Sequence, residues 1–149
     1  MNLNIGLESV PFTYARANLS SIVDALVRNE KPAIAINRKN KEEVLVLKKE
    51  TQKFLLSAYR LKAEIHREID SSYTLSLGLI DIAENGTSLE DALQSVVEEL
   101  KVYAADYVDR LPLFINAPNR QGHLPFVMRV LLADSDSEIK GFIDVANAS

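Results

Sequence analysis

The sequence predicts an α+β protein, with a β-α-β-β-α module followed by a smaller domain of strands and helices. Short aliphatic runs separate longer segments whose apolar residues recur at the spacing of one helix face. Asp70-Ser71-Ser72 is a polar break between two such regions. We therefore predict two domains, residues 1–70 and residues 71–149.

An edge strand and a helix open the first domain. Pro11 confines residues 7–12 to a sheet edge, because proline has no amide hydrogen to offer a neighbouring strand. Thr13 predicts the N-cap of the helix that follows. The apolar side chains on one face of that helix are Leu19, Ile22, Val23 and Leu26.

Two strands and a second helix complete this domain. Aliphatic runs at residues 33–36 and 44–47 predict strands joined by a tight turn, in which Asn40 tolerates left-handed backbone geometry. Apolar side chains along one side predict a helix over residues 49–69. They are Phe54, Leu55, Ala58, Leu61 and Ile65.

The second domain begins with strands and a long helix. Alternation over residues 73–82 predicts one strand or a bent pair, followed by a turn at Asn85-Gly86. Thr87 and Glu90 have the spacing of a capping box, and the helix that they begin ends by Pro112.

A loop and two short helices follow. Turn-forming residues predict a loop over residues 113–122. Apolar periodicity then predicts helices over 124–132 and 135–145, the second capped by Asp134 or Ser135.

Composition excludes several classes of protein. The 149 residues include no cysteine, which excludes a disulfide scaffold, a cysteine-ligated metal and thiol catalysis. No apolar run approaches the roughly 18 residues of a membrane helix, and no secretory leader is evident, so we expect a cytoplasmic protein without membrane contact. His66 and His123 lack metal-ligand spacing, and no glycine-rich phosphate loop is present. We predict no metal, no cofactor and no enzymatic activity.

The net charge of −4 hides an uneven distribution. Residues 1–70 carry 12 basic and 9 acidic side chains, whereas residues 71–149 carry 5 basic and 12 acidic ones. Basic residues are densest from Lys31 to Arg67, a segment that contains ten basic and four acidic residues. This division predicts a first half that faces a polyanion and a second half that faces a basic partner, although charges also cluster by chance in a short chain.

Three basic side chains are candidates for nucleic-acid contacts. Arg38 and Lys39 project from the predicted turn, where long cations reach phosphates without being needed for packing. Arg16 lies in the first turn of the predicted helix, where the helix dipole disfavours a cation. An arginine at that place indicates a contact outside the chain.

Three segments of the first half carry a family resemblance: Val10-Pro-Phe-Thr-Tyr-Ala-Arg-Ala-Asn-Leu, Lys31-Pro-Ala-Ile-Ala-Ile-Asn-Arg-Lys and Glu43-Val-Leu-Val-Leu. They resemble the N-terminal domain of the Phd/YefM (prevent-host-death) antitoxins. The resemblance covers about residues 5–70. It implies a homodimer or higher oligomer whose paired N-terminal domains bind operator DNA and repress their own operon.

The resemblance further implies which residues contact DNA. Arg16 and Arg38 match the two principal DNA-contacting arginines of the family. Thr13, Asn18 and Lys39 match neighbouring positions that support phosphate contacts.

Three features depart from the family pattern. Tyr14 stands where the family usually has an acidic residue, and Asn40 stands at the glycine of the turn. Glu42-Glu43 adds negative charge beside the implied DNA surface. These departures predict weak autorepression.

The second half contains Tyr73-Thr-Leu-Ser-Leu followed by Asn85-Gly-Thr-Ser-Leu-Glu-Asp-Ala-Leu. This shorter pattern is similar to HicB-like antitoxin domains. The resemblances together imply an antitoxin of a type II toxin-antitoxin system whose acidic second domain binds and neutralises a cognate toxin. Its charge suits a basic toxin, RNase-like or Doc-like.

Three alternatives stay open. In the first alternative, the chain is a dimeric interaction module or a stand-alone regulator without DNA binding. In the second, its second domain serves only dimerisation. The third alternative is a small enzyme or ligand-binding domain in the second half that uses Tyr103, Arg120 or His123, and it requires a pocket that joins these side chains.

Overall fold

The computed structural model describes residues 5–39 and 42–147, and the chain divides into two compact units, Met1–Leu55 and Leu56–Ser149. We call these unit 1 and unit 2. Within the described ranges, no helix is both long enough and apolar enough to cross a membrane.

Unit 1 is a three-stranded sheet with helices. Its elements are β1 (Glu8–Pro11), α1 (Phe12–Ala17), α2 (Leu19–Val27), β2 (Ile34–Asn37), β3 (Glu43–Val46) and α3 (Lys49–Leu55). Strand β2 is central, pairing in parallel with β1 and antiparallel with β3. The predicted edge position of the first strand is therefore confirmed, as are the two aliphatic strands.

The helical face predicted for the first helix is only half buried. Ile22 and Leu26 pack with Val10, Ala15 and Ile34 in the core of unit 1. The other two side chains of that predicted face, Leu19 and Val23, are 53% and 43% exposed. Unit 1 therefore leaves an apolar strip of α2 uncovered.

The predicted cap at Thr13 is wrong, and the predicted helix is divided in two. Helix α1 begins at Phe12, after an extended Pro11, and has no side-chain cap. Asn18 interrupts the helix with a non-helical φ of −121° and ψ of 24°, and its side-chain amide donates to the Tyr14 carbonyl at 3.0 Å. Such local side-chain bonds compete with continued helix.

The predicted helix over 49–69 is also wrong beyond its first two turns. Helix α3 ends at Leu55, and Leu61–Arg67 form a strand, β4. In β4 the buried Leu61 and Ala63 alternate with exposed polar residues, which is the period of two of a strand. The same apolar residues also fit the spacing of a helix, which is why a helix was predicted. The boundary between units consequently lies at residues 55/56, rather than at residue 70.

Unit 2 is a four-stranded sheet covered by helices. Its elements after β4 are β5 (Tyr73–Leu77), β6 (Ile82–Gly86), α4 (Leu89–Asp109), α5 (Leu111–Phe114), a 3-10 turn (Gln121–His123), α6 (Leu124–Leu132), α7 (Asp136–Gly141) and β7 (Ile143–Asn147). The strand order is β6-β5-β4-β7, with β7 parallel to β4 and the other pairs antiparallel.

Helix α4 forms the centre of the unit 2 core. Its side chains Val96, Val97, Leu100 and Tyr107 are all at most 1% exposed and pack with buried residues of the sheet and of α6. Burial raises the pKa of Tyr107. Its hydroxyl donates to the Arg120 carbonyl at 2.9 Å, which holds the segment before α6 against α4.

Asn85-Gly86 is not a turn, contrary to the prediction. These residues end β6, and the chain reverses before it, where Asp81 adopts a left-handed φ of 58°. Asn85 donates instead to the hydroxyls of Ser72 and Thr74, both at 3.0 Å. Of the strand or bent pair predicted over residues 73–82, β5 is present, residues 78–81 form the turn, and the second strand, β6, begins only at Ile82.

Gly86 is required by a close approach of backbones rather than by a turn. A Cβ atom built there would lie 2.2 Å from the Ala92 backbone nitrogen, far inside van der Waals contact. The end of β6 therefore passes against the first turn of α4.

The predicted cap of the long helix is displaced by one residue. Ser88 is the N-cap and accepts from the Asp91 amide at 3.1 Å. Thr87 donates its hydroxyl to the Asp91 carboxylate at 2.7 Å. This bond, followed by those with Ser88, lowers the pKa of Asp91.

The last helices are predicted partly correctly. Helix α6 has its predicted bounds, and Ser135 caps α7 by accepting from the Glu138 amide at 3.2 Å. Helix α7 stops at Gly141, however, and the next residues form β7. Arg60 supports this strand, because its guanidinium donates to Asp144, at 2.7 Å from Nη2, and to the Gly141 carbonyl.

Candidate functional site

Three of the five predicted site residues line one cleft in unit 1. The cleft has a volume of about 640 Å³ and is lined by Pro11, Phe12, Thr13, Asn37, Arg38 and Lys39. The sheet register explains this convergence, since Pro11 pairs with Asn37 in the parallel β1–β2 ladder. The first turn of α1 and the residues after β2 thereby meet at one end of the sheet. We call this the Arg38 cleft.

Arg38 is oriented by its neighbours. Its guanidinium lies 5.1 Å from the centre of the Phe12 ring, within the range of a cation–π contact. Its backbone amide donates to the Glu42 carbonyl at 3.0 Å. Among the residues that the structure describes, no carboxylate forms an ion pair with Arg38. The guanidinium charge is therefore available to an outside group.

Arg16 and Asn18 do not line the Arg38 cleft. Arg16 is exposed in the last turn of α1, where the helix dipole favours a cation, so the electrostatic argument from a first-turn position is wrong. It lies three residues after Thr13 and therefore on the same side of α1. The Asn18 side chain instead terminates α1 through its bond to the Tyr14 carbonyl.

The structure describes some of the residues at which this chain departs from the Phd/YefM pattern. Glu42 shares a neighbouring cavity of about 270 Å³ with Phe12 and Arg38. Glu43 is exposed at the start of β3. Asn40 lies outside the described residues. Glu42 therefore lies beside the candidate interface.

Pro11, Phe12 and Asn37 line the cleft but were not predicted as site residues, and the last two have polar or charged contacts there. Phe12 supplies the ring beneath Arg38, and Asn37 donates its side-chain amide to the Ser9 hydroxyl at 2.8 Å, bridging β1 and β2. Their position at the ends of two strands was the available signal, but the parallel pairing of those strands had first to be known.

An apolar strip on α2 is a second exposed feature of unit 1. Leu19, Val23 and Val27 recur every four residues and are each more than 40% exposed. Side chains at this spacing lie on one face of a helix. An exposed apolar strip of this kind is typical of a protein-binding surface.

Unit 2 carries the acidic excess. It contains 15 acidic and 8 basic residues, against 6 and 9 in unit 1. Lys101 binds Glu98 and Asp136, both at 3.0 Å, and these bonds, Asp136 first, raise the pKa of Lys101. Glu99 and Asp109 on α4 have no basic partner among the described residues. Helix α4 thus presents uncompensated negative charge to solvent.

The structure also joins the three side chains named in the ligand-binding alternative. Tyr103, Arg120 and His123 line a cleft of about 510 Å³ in unit 2. The Tyr103 hydroxyl lies 2.6 Å from His123 Nδ1, and Arg120 donates to that hydroxyl at 3.2 Å. We call this the Arg120 cleft. In the described parts of the chain, no group of three metal-ligating side chains converges.

Comparison with known proteins covers most of the chain. A family model described as PHD_like, "Antitoxin of toxin-antitoxin, RelE / RelB, TA system", matches residues 6–145, which span both units. The chain is also similar to the crystal structure of an antitoxin part of a proposed toxin/antitoxin system from Syntrophomonas wolfei subsp. wolfei. That similarity has 32% sequence identity and a TM-score of 0.87, covering 95% of this chain and 100% of that chain. No curated protein matches significantly. This chain belongs to the PHD_like family of toxin-antitoxin antitoxins.

Proposed function

We propose that this antitoxin is a homodimer that binds operator DNA through unit 1 and neutralises a cognate toxin through unit 2. The observation that carries the DNA-binding part is the Arg38 cleft. It brings Thr13, Arg38 and Lys39 to one end of the sheet, with the Arg38 charge uncompensated by the described residues. The Phd/YefM resemblance at the same residues supports this assignment.

The arrangement suits contacts to the phosphate backbone. Long cations without internal partners displace counterions from DNA, and this release supplies most of the sequence-independent affinity. The Thr13 hydroxyl adds a neutral donor beside Arg38, and Arg16 continues the same side of α1. Asn18 contributes by ending α1 two residues after Arg16.

The apolar strip of α2 supports self-association. A two-fold dimer that buries Leu19, Val23 and Val27 against the same residues of a partner would place two Arg38 clefts on one particle. Doubling the cleft doubles the number of phosphate contacts, which a single unit 1 offers in small number. Both halves of an operator could then be bound at once.

The acidic surface of α4 supports toxin binding. Glu99 and Asp109 lack basic partners within the described residues, and unit 2 carries a formal charge of −7. A basic toxin, RNase-like or Doc-like, would be attracted by this charge, and complementary potentials favour rapid and specific association. Occupying the toxin's cationic surface would also exclude an anionic substrate.

The DNA-binding part is tested with the DNA upstream of the gene. We expect binding that weakens steeply between 50 and 200 mM salt, with a slope of about −0.9 per phosphate contact. Arg38→Ala should weaken binding by about tenfold or more, since each dimer loses two charged contacts. It should also make the salt slope shallower by roughly 1.8. Arg16→Ala should act in the same direction.

Arg28→Ala is the matched control. Arg28 follows α2, is exposed, and does not line the Arg38 cleft, so the variant loses the same charge elsewhere in unit 1. If Arg28→Ala and Arg38→Ala lose DNA affinity equally, the loss is explained by the net charge of unit 1 and not by the Arg38 cleft. Toxin binding without any DNA binding would leave an antitoxin that is an interaction module and not a repressor.

A further inference from the structure

We propose that the Arg120 cleft of unit 2 binds a small organic monocarboxylate with an apolar body. This site is separate from DNA binding, and Glu99 is the residue that it shares with the acidic surface assigned to the toxin. Tyr103 on α4 and the segment Arg120–His123 supply its polar groups, and aliphatic residues supply one wall. No role assigned above uses these side chains.

Arg120 is a cation held in place without an anion. Its guanidinium lies 5.5 Å from the centre of the Tyr103 ring and 5.0 Å from that of Phe114. Nη1 donates to the Tyr103 hydroxyl, while Nε and Nη2 have no partner among the described residues. A planar guanidinium with free donors is suited to bind a carboxylate through two parallel hydrogen bonds.

The backbone of Arg120 is held as firmly as its side chain. Its carbonyl accepts from the hydroxyl of the fully buried Tyr107 at 2.9 Å, and its amide donates to the Ala117 carbonyl at 2.9 Å. A ligand would therefore meet a preformed group, and little conformational entropy would be lost on binding.

The Tyr103–His123 pair leaves Arg120 as the cationic group of the cleft. The Tyr103 hydroxyl accepts from Arg120, so its own hydrogen is directed to His123 Nδ1 at 2.6 Å. Burial, and then the Arg120 charge, lower the pKa of His123. A neutral imidazole that accepts the Tyr103 hydrogen is consistent with this arrangement.

The remaining lining residues select the ligand. Asp81, Glu99 and Asp106 also line the cleft, and Arg110 neutralises Asp106 through an ion pair of 2.8 Å. The two other carboxylates repel every anion in proportion to its charge, so a ligand with a single negative charge is disfavoured less than a phosphate or a polyanion.

The aliphatic wall selects the body of that ligand. Leu79 and Val102 are 56% and 61% exposed at this cleft, and an apolar body would cover them. The volume of about 510 Å³ lies within the range of small-molecule sites.

Titration of the full chain, followed by amide chemical shifts, tests the proposal. The probes are acetate, isovalerate and phenylacetate, with phenylacetamide as a neutral control of the same shape and inorganic phosphate as a second anion. We expect saturable shifts at residues 79–82, 99–106 and 119–123, strongest for phenylacetate and absent for phenylacetamide. No shifts with any carboxylate up to about 10 mM, the weak limit of a specific site, would overturn the proposal.

Arg120→Gln should weaken phenylacetate binding at least tenfold, because a charge-assisted pair is lost. Arg67→Gln is its matched control. Arg67 carries the same charge in unit 2 and lies 5.7 Å from the Tyr73 ring, but it does not line the cleft. Equal binding by Arg120→Gln and the parent chain, or equal binding of acid and amide, would refute the proposal.

A second variant keeps the test decisive if Arg120→Gln unfolds. Tyr103→Phe keeps the ring and removes the hydroxyl that anchors Arg120 and His123. We expect several-fold weaker phenylacetate binding with an unchanged DNA affinity. Unchanged phenylacetate binding in a folded Tyr103→Phe protein would contradict the proposed geometry.

Discussion

Gly86→Ala should destabilise unit 2 strongly, because the added methyl group meets backbone and not flexible side chain. The Cβ atom would lie 2.2 Å from the Ala92 nitrogen, 2.7 Å from the Asp91 carbonyl carbon and 2.8 Å from the Ala92 Cα. Ordinary contact begins at about 3.4 Å, so β6 and the start of α4 must separate by roughly 1 Å. Ala92 is fully buried, and the buried side chains of α4 pack in the same core as those of the sheet.

This separation has a measurable cost. Overpacking that displaces backbone costs about 1–3 kcal/mol, and this contact should fall at the upper end. For a chain of this size, a loss of about 3 kcal/mol lowers Tm by roughly 6–12 °C. Helical circular dichroism during urea and thermal unfolding measures both quantities.

Gly141→Ala is the control for the loss of a glycine. Nothing lies within 4 Å of a Cβ built at Gly141, so this change should be neutral or slightly stabilising. A Gly86→Ala protein within about 0.5 kcal/mol of the parent chain would refute the close approach of β6 and α4.

Three further changes probe other parts of the chain. Ser88→Ala removes the side-chain acceptor at the start of α4 and should lower the free energy of unfolding by about 1 kcal/mol in urea denaturation, and no loss would contradict the cap. Val23→Asp places a charge in the exposed strip of α2 and should convert a dimer to monomers in light scattering, whereas an unchanged mass would show that the strip is not the interface. The pKa of His123 is lowered in the folded protein, so on acidification the unfolded chain binds a proton before the folded one does. The free energy of unfolding should therefore be constant above the ordinary pKa of 6.5 and fall as the pH drops below it. His123→Gln should remove this fall, and an equal decline in both proteins would assign it to other groups.

The spacing of apolar residues correctly predicted the elements whose buried face is evident from their own sequence. The strands of unit 1 and helices α4 and α6 have apolar positions that fit one period well. Strand β4 was predicted as helix because its apolar residues fit two periods, and only its pairing with β5 and β7 selects between them.

Strand β7 was missed for the same reason. The short segment Ile143–Asn147 fits the end of the predicted helix as well as a strand, and it is extended because it lies beside β4, paired with residues 82 positions earlier. Such long-range pairing overrides local preference.

The candidate sites were likewise predicted only in part from the sequence. Arg38 and Lys39 were singled out from their place after a strand, but their meeting with Thr13 depends on the parallel β1–β2 register. The Arg120 cleft needed Tyr103 on α4 and residues 17 and 20 positions later to converge, which depends on the packing of that segment against α4.

The pairing of β7 with β4 bears on the order in which the chain acquires its structure during synthesis. Unit 1 is complete once Leu55 has left the ribosome, whereas β4 keeps an open edge until residues 143–147 emerge. The Arg38 cleft can therefore form while unit 2 is still unfinished. A nascent chain would present its basic surface before its acidic one, and an incomplete chain would expose a strand edge to whichever partner reached it first.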